Sequence, residues 1–124
     1  MQERKTGPCV EACLTALGVP RSSYRWTWNG RDNVWTGILR RHGFAVRSRK
    51  SAVRAPKGKR VTVGTLRAAI QAGRLDNVPD GAMFIARVKS HVLLLDRQGR
   101  TVVDTDPRVR DRRTLLSVVA VWRQ

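Results

Sequence analysis

The stretch "HVLLLDRQGRTVVDTDP", His91 to Pro107, sets two apolar runs around a polar centre, the pattern of a β-hairpin. A tight turn on Gln98 and Gly99 places Leu95 opposite Val102, Leu93 opposite Asp104 and His91 opposite Asp106. One of only two histidines in the chain therefore opens the first strand, and a pair of aspartates closes the second. Asp104 lies on the same face as Asp106, so a one-residue bulge or a wider loop makes it the partner of His91 instead. Either carboxylate would fix the tautomer and orientation of the imidazole and leave its other nitrogen to act on a nucleophile.

Outward from the hairpin, "AMFIARV" before it and "LLSVVAVW" after it are β-rich runs, which predicts a mainly antiparallel sheet built from the C-terminal half. Three helical patterns come earlier. "GPCVEACLTALGVP" places Pro8 in a first turn and Gly18 and Pro20 at a stop. "DNVWTGILRRHGF" begins on Asp32 or Asn33 as cap, sets Val34, Trp35, Ile38 and Leu39 on one face and ends at Gly43. "FAVRS" alternates like a short strand, and "VTVGTLRAAIQAG" reads as a third helix, capped by Thr62 or Thr65 and closed near Gly73. The 124 residues suit one core and not two, so the expectation is a single α+β domain over 1–124 whose first helix packs on the sheet.

The charge is lopsided, with 25 Lys and Arg against 9 Asp and Glu and a net charge of +16, which predicts affinity for polyanions. The densest stretches are a basic loop or linker at 47–60 (Arg47, Arg49, Lys50, Arg54, Lys57, Lys59, Arg60) and a second run at 108–113 (Arg108, Arg110, Arg112, Arg113). Nucleic acid or an acidic protein is the partner class such a surface fits, and a solvated surface of no specific use is the competing reading. Neither run interleaves aromatics with its cations as a stacking platform for single strands does. The polar "MQERKTGPC" start lacks the apolar core of a secretory signal, and no apolar run reaches membrane-spanning length, so a cytoplasmic protein is expected.

Cys9 and Cys13 stand four apart on the first helix, a spacing that suits neither a long-loop disulfide nor a zinc site, and both are read as reduced thiols with no metal or cofactor. Cys9 falls at the helix N-terminus, where the dipole and an adjacent imidazolium favour a thiolate nucleophile. Cys13, one turn on, reads as core, and His42 as a helix-end residue. Trp26, Trp28, Trp35 and Trp122 are expected to close the core before they line a groove.

The order of a cysteine on the first helix, a histidine opening a strand and an aspartate closing its hairpin resembles the papain-like cysteine peptidase superfamily. The likeness is closest to the compact bacteriocin-processing double-glycine peptidases and to small papain-like proteins of phage genomes. It is carried by "GPCVEACLTALGVP", "ILRRHGFAVR", "VTVGTLRAAIQAG" and "HVLLLDRQGRTVVDTDP". The resemblance implies a papain-like fold and cleavage of an amide bond in a peptide or protein. Cys9 would be the nucleophile, His91 the general base and Asp106, before Pro107, the orienting carboxylate, with Asp104 as its competitor. Gln2 would be the oxyanion donor, one residue out of the usual register. Val10 follows the cysteine where the peptidases usually carry Gly, a departure shared with the phage-type relatives. In a phage protein the location would be the host cytoplasm. The alternative is a non-catalytic binding protein on the same scaffold that holds nucleic acid or an acidic partner.

Overall fold

A computed structural model describes residues 7–20, 32–50, 53–55, 57–89, 91–106 and 111–124. Within these residues the chain runs α1 (Gly7–Ala16), α2 (Asp32–Arg41), β1 (Phe44–Ser48), α3 (Val63–Gln71), β2 (Met83–Val88), β3 (His91–Leu95), β4 (Thr101–Val103) and β5 (Ser117–Arg123). The strands form one sheet in the order β1-β5-β2-β3-β4, with every pairing antiparallel. The fold is α+β. No helix among the described residues is long and apolar enough to cross a membrane.

Helices cover both faces of the sheet, which is why its strands read as nearly unbroken apolar runs. Val92 and Leu94 of β3 pack with Val10, Leu14, Ile38 and Leu39 of α1 and α2. Leu93 and Leu95 point the other way, into a layer with Val63, Leu66 and Ile70 of α3. The two-residue period of a strand thus feeds two cores from one sequence of leucines.

The helix ends follow the glycines. The Val19 amide donates to the Leu14 carbonyl (2.9 Å) and the Gly18 amide to Thr15 (2.9 Å), with Gly18 at φ 91°, the Schellman pattern that stops α1. At the start of α3 both threonines act: Thr62 is the N-cap, and Thr62 and Thr65 exchange backbone-to-hydroxyl bonds of 3.1 and 3.2 Å. This box fixes the chain beside residues 113–115, because the Val63 amide donates to the Arg113 carbonyl and the Leu115 amide to Val61.

The β3–β4 turn differs from the two-residue turn that the sequence suggested. Asp96 and Arg100 close a three-residue loop of Arg97, Gln98 and Gly99, with Leu95 opposite Thr101. A two-residue type I′ turn needs positive φ at both central positions, which Gln98 resists; the wider loop needs it only at Gly99, at φ 80°. The Asp96 carboxylate accepts the Gln98 and Arg100 amides at 2.8 and 2.9 Å and braces the loop. The register then shifts between Leu94 and Leu95, so that Leu94 faces Val103.

The basic stretch at 47–60 is only partly a surface loop. Arg47 belongs to β1, and the Arg49 amide continues the ladder onto Val118 (2.8 Å). Arg49 is a correction to the polyanion surface: it is buried at 8% exposure, and its guanidinium donates to Asn77 Oδ1 at 2.6 Å. Val53 is also buried, which ties the middle of the segment to the α3 layer. Arg54, Lys57, Lys59 and Arg60 remain exposed and Lys50 half-buried. Arg108 and Arg110 lie outside the described residues.

Candidate active site

His91 opens β3, and the turn after Val88 delivers it opposite that residue in the β2–β3 ladder. Its Nε2 lies 2.6 Å from Asp104 Oδ1, and the two side chains are 11% and 23% exposed. This is the short contact of a charge-assisted hydrogen bond, with the ring N–H donating to the carboxylate. Asp104 follows the last residue of β4, and its Oδ1 also accepts the Asp106 amide at 2.9 Å. The position that the resemblance gave to Asp106 is therefore held by Asp104. The Asp106 carboxylate turns instead to Arg113, 3.4 Å away. A strand that ends at Val103, followed by a bend at Thr105, brings the nearer aspartate to the ring.

Cys9 is the third residue of α1, and α1 packs against β3 and β4. The Cys9 thiol acts on the His91 ring more strongly than any other group. With Nε2 turned to Asp104, Nδ1 is the ring nitrogen free of the carboxylate. The Cys9 amide belongs to the first turn of α1, whose N–H groups point out of the helix end toward any charge that develops there. The helix thus places a thiol and an electropositive backbone in one spot.

The hydrogen bond with Cys9 is the largest influence on His91 and raises its pKa above the ordinary 6.5; burial opposes this, and the Asp104 carboxylate adds to the rise. A histidine raised in the folded state contributes stability that is fully present below the unfolded value and is lost as pH rises through the folded one. The denaturation midpoint is therefore expected to fall as pH increases from 6.5 through the folded His91 value, and His91→Gln should remove that portion of the slope. A variant with the wild-type slope would show that the ring gains nothing from its partners. Cys13 behaves differently: burial, then the Cys9 and Asp104 charges, push its thiol up to about 12. It is a core residue at 2% exposure.

The remaining candidates are not brought to this site. Gln2, Trp26 and Trp28 lie outside the described residues. Trp35 of α2 is buried in the layer with α1, while Trp122 joins Leu17, Phe44 and Met83 around an apolar groove by the C-terminal end of α1, the end opposite Cys9. His42 follows α2, and its carbonyl accepts from Arg123. Among the described residues no group of three or more His, Cys, Asp and Glu could hold a metal ion.

Sequence reasoning missed two arginines that organise the surroundings. Arg67 of α3 donates to both Asp111 oxygens, to the Gly99 carbonyl (2.8 Å) and to Thr101 Oγ1 (2.7 Å), tying the hairpin to the helix. Arg113 reads as one cation in a charged run, with nothing local to mark it; its partners are the Lys89 carbonyl after β2 and the Asp106 carboxylate after β4. Comparison of the chain with protein-family models, curated proteins and solved structures gives no match.

Proposed function

We propose that the chain is a papain-like cysteine hydrolase that cleaves an amide bond in a peptide or protein through Cys9, His91 and Asp104. The supporting observation is an imidazole hydrogen-bonded to a carboxylate at 2.6 Å, with the thiol of a helix-N-terminal cysteine as the strongest influence on the ring. In the working state Cys9 is the thiolate and His91 the imidazolium. The sulfur attacks the carbonyl carbon, and the first-turn amide of Cys9 donates to the oxyanion that forms. Nδ1–H then protonates the leaving nitrogen as the C–N bond breaks, leaving a thioester and a neutral ring. Water gives a proton to Nδ1 as it attacks the thioester; the C–S bond breaks and the thiolate–imidazolium pair returns. Asp104 holds the ring in one tautomer throughout and supports its positive state.

The activated ester p-nitrophenyl acetate tests this without a known substrate. The expected result is a burst of about one nitrophenolate per chain with an acetyl group on Cys9, abolished by Cys9→Ala. Acetylation confined to lysines would contradict the reading.

A second reading, polyanion binding at a separate surface, is favoured by one contact. The Arg60 guanidinium donates to the Arg112 carbonyl at 3.2 Å, and Thr62 bridges Thr114, so the ends of the two basic stretches meet. Nucleic-acid affinity should be sequence-tolerant and fall steeply with salt. Neutralising Arg54, Lys57, Lys59 and Arg60 should flatten the salt slope by about 0.9 for each phosphate that is no longer neutralised, without altering Cys9 reactivity. An effect no larger than that of four scattered arginines would leave only diffuse charge.

A further inference from the structure

His91 begins β3 and Asp104 follows the end of β4, at the same end of two adjacent antiparallel strands, and a short hydrogen bond between them requires that both strand ends be held. Arg113 contacts both. Its Nη2 donates to the Lys89 carbonyl at 3.0 Å, two residues before His91. Its Nη1 lies 3.4 Å from Asp106 Oδ2, and the Asp106 amide donates in turn to Asp104 Oδ1 at 2.9 Å. Arg113 is itself anchored, because its carbonyl accepts the Val63 amide at the capped start of α3.

We propose that Arg113 is a positioning residue, which clamps the β2–β3 turn to the segment after β4 and thereby holds the Asp104 carboxylate on His91 Nε2. The two ends of one planar guanidinium suit the task, since they donate in divergent directions at fixed spacing, which a lysine ammonium does not reproduce. The Asp106 carboxylate, 12% exposed, has a cation to face, and its backbone is left in place to support Asp104. The inference rests on the hydrolase reading for its consequence, but its geometry stands apart from it. Among the described residues, the groups that act on the His91 charge are Cys9 from α1 and Asp104 after β4, with Asp106 bonded to Asp104 through its amide.

The test follows the His91 ring by NMR through a pH titration of the full chain, in wild type, Arg113→Ala and Arg113→Lys, with Cys9 alkylation measured on the same samples. Loss of a nearby positive charge would by itself raise the His91 midpoint, whereas release of Asp104 lowers it, so the sign separates the two. Arg113→Ala is expected to lower the midpoint and to slow Cys9 alkylation at about pH 6.5 by about tenfold, while the rate at about pH 10, where a thiol ionises unaided, changes by less than about twofold. Arg113→Lys, with its charge kept, should fall between. A folded Arg113→Ala whose midpoint is unchanged or raised overturns the proposal, whatever its melting temperature. If Arg113→Ala does not fold, Arg113→Lys decides: a lowered midpoint supports the clamp and a wild-type midpoint overturns it. Wild-type Cys9 that reacts no faster than Cys13 would sink the hydrolase reading, and the His91 midpoint would still decide the clamp.

Discussion

Asp104→Ala is expected to slow acylation of Cys9 by p-nitrophenyl acetate by roughly 10²- to 10³-fold, the range for losing one member of an acid–base pair. The substitution removes the acceptor 2.6 Å from His91 Nε2 and leaves the ring without the partner that fixes its tautomer. The His91 titration midpoint should fall in the same variant, because both the hydrogen bond and the charge of Asp104 raise it. Asp106→Ala should cost less, at most about tenfold, since the backbone amide that supports Asp104 survives the change. The opposite ranking would return the orienting role to Asp106 and contradict the geometry.

Leu94→Ala is expected to destabilise the fold by about 2–5 kcal/mol, the cost of emptying a buried leucine site that cannot collapse. Leu94 is fully buried in the layer that holds Cys9, Val10 and Leu14 of α1 against β3. The cavity would lie under the helix that carries Cys9, so the surviving folded fraction should also show slower Cys9 acylation. Chemical denaturation gives the first quantity and the ester burst the second. A loss of stability below about 1 kcal/mol would mean that the α1–β3 packing is loose and does not set the position of Cys9.

The sequence made the layout readable where local chemistry and tertiary structure agree. Gly18 and Gly73 mark helix ends because the backbone there turns left-handed, at φ 91° and 78°. β2, β3 and β5 are legible as apolar runs, because both faces of the sheet are covered there. The hairpin turn was misread through one residue: "QG" looks like a two-residue turn, but Gln98 does not supply the second positive φ, and the loop widens to three. The register regained beyond the bulge is the anticipated one, yet the strand stops at Val103, and that stop selects Asp104 over Asp106.

The site was legible as residue types and order, a cysteine at a helix start, a histidine at a strand start and a carboxylate after its hairpin. Its bracing was not. Arg67 and Arg113 each reach partners more than twenty residues away, and Arg49 sinks inward although Arg47, two residues before it, is exposed. Charge density along a chain says nothing of which guanidinium finds a carboxylate or a carbonyl across the sheet. Such contacts are set by topology, here by the bridge of Thr62 to Thr114 that brings the end of one basic stretch to the end of the other.

The central claim is that His91 activates Cys9, and site-resolved alkylation tests it most directly. Wild-type and His91→Ala chains would be treated with iodoacetamide at about pH 6.5 and the labelled peptides of Cys9 and Cys13 quantified over time. Cys13, buried with its thiol pushed up to about 12, supplies an internal standard for an unactivated cysteine. The expected result is Cys9 labelling faster than Cys13 by on the order of 10²-fold or more in the wild type, with most of that advantage gone in His91→Ala. Equal, slow labelling of both cysteines in the wild type, or a Cys9 rate indifferent to the loss of His91, would contradict the claim.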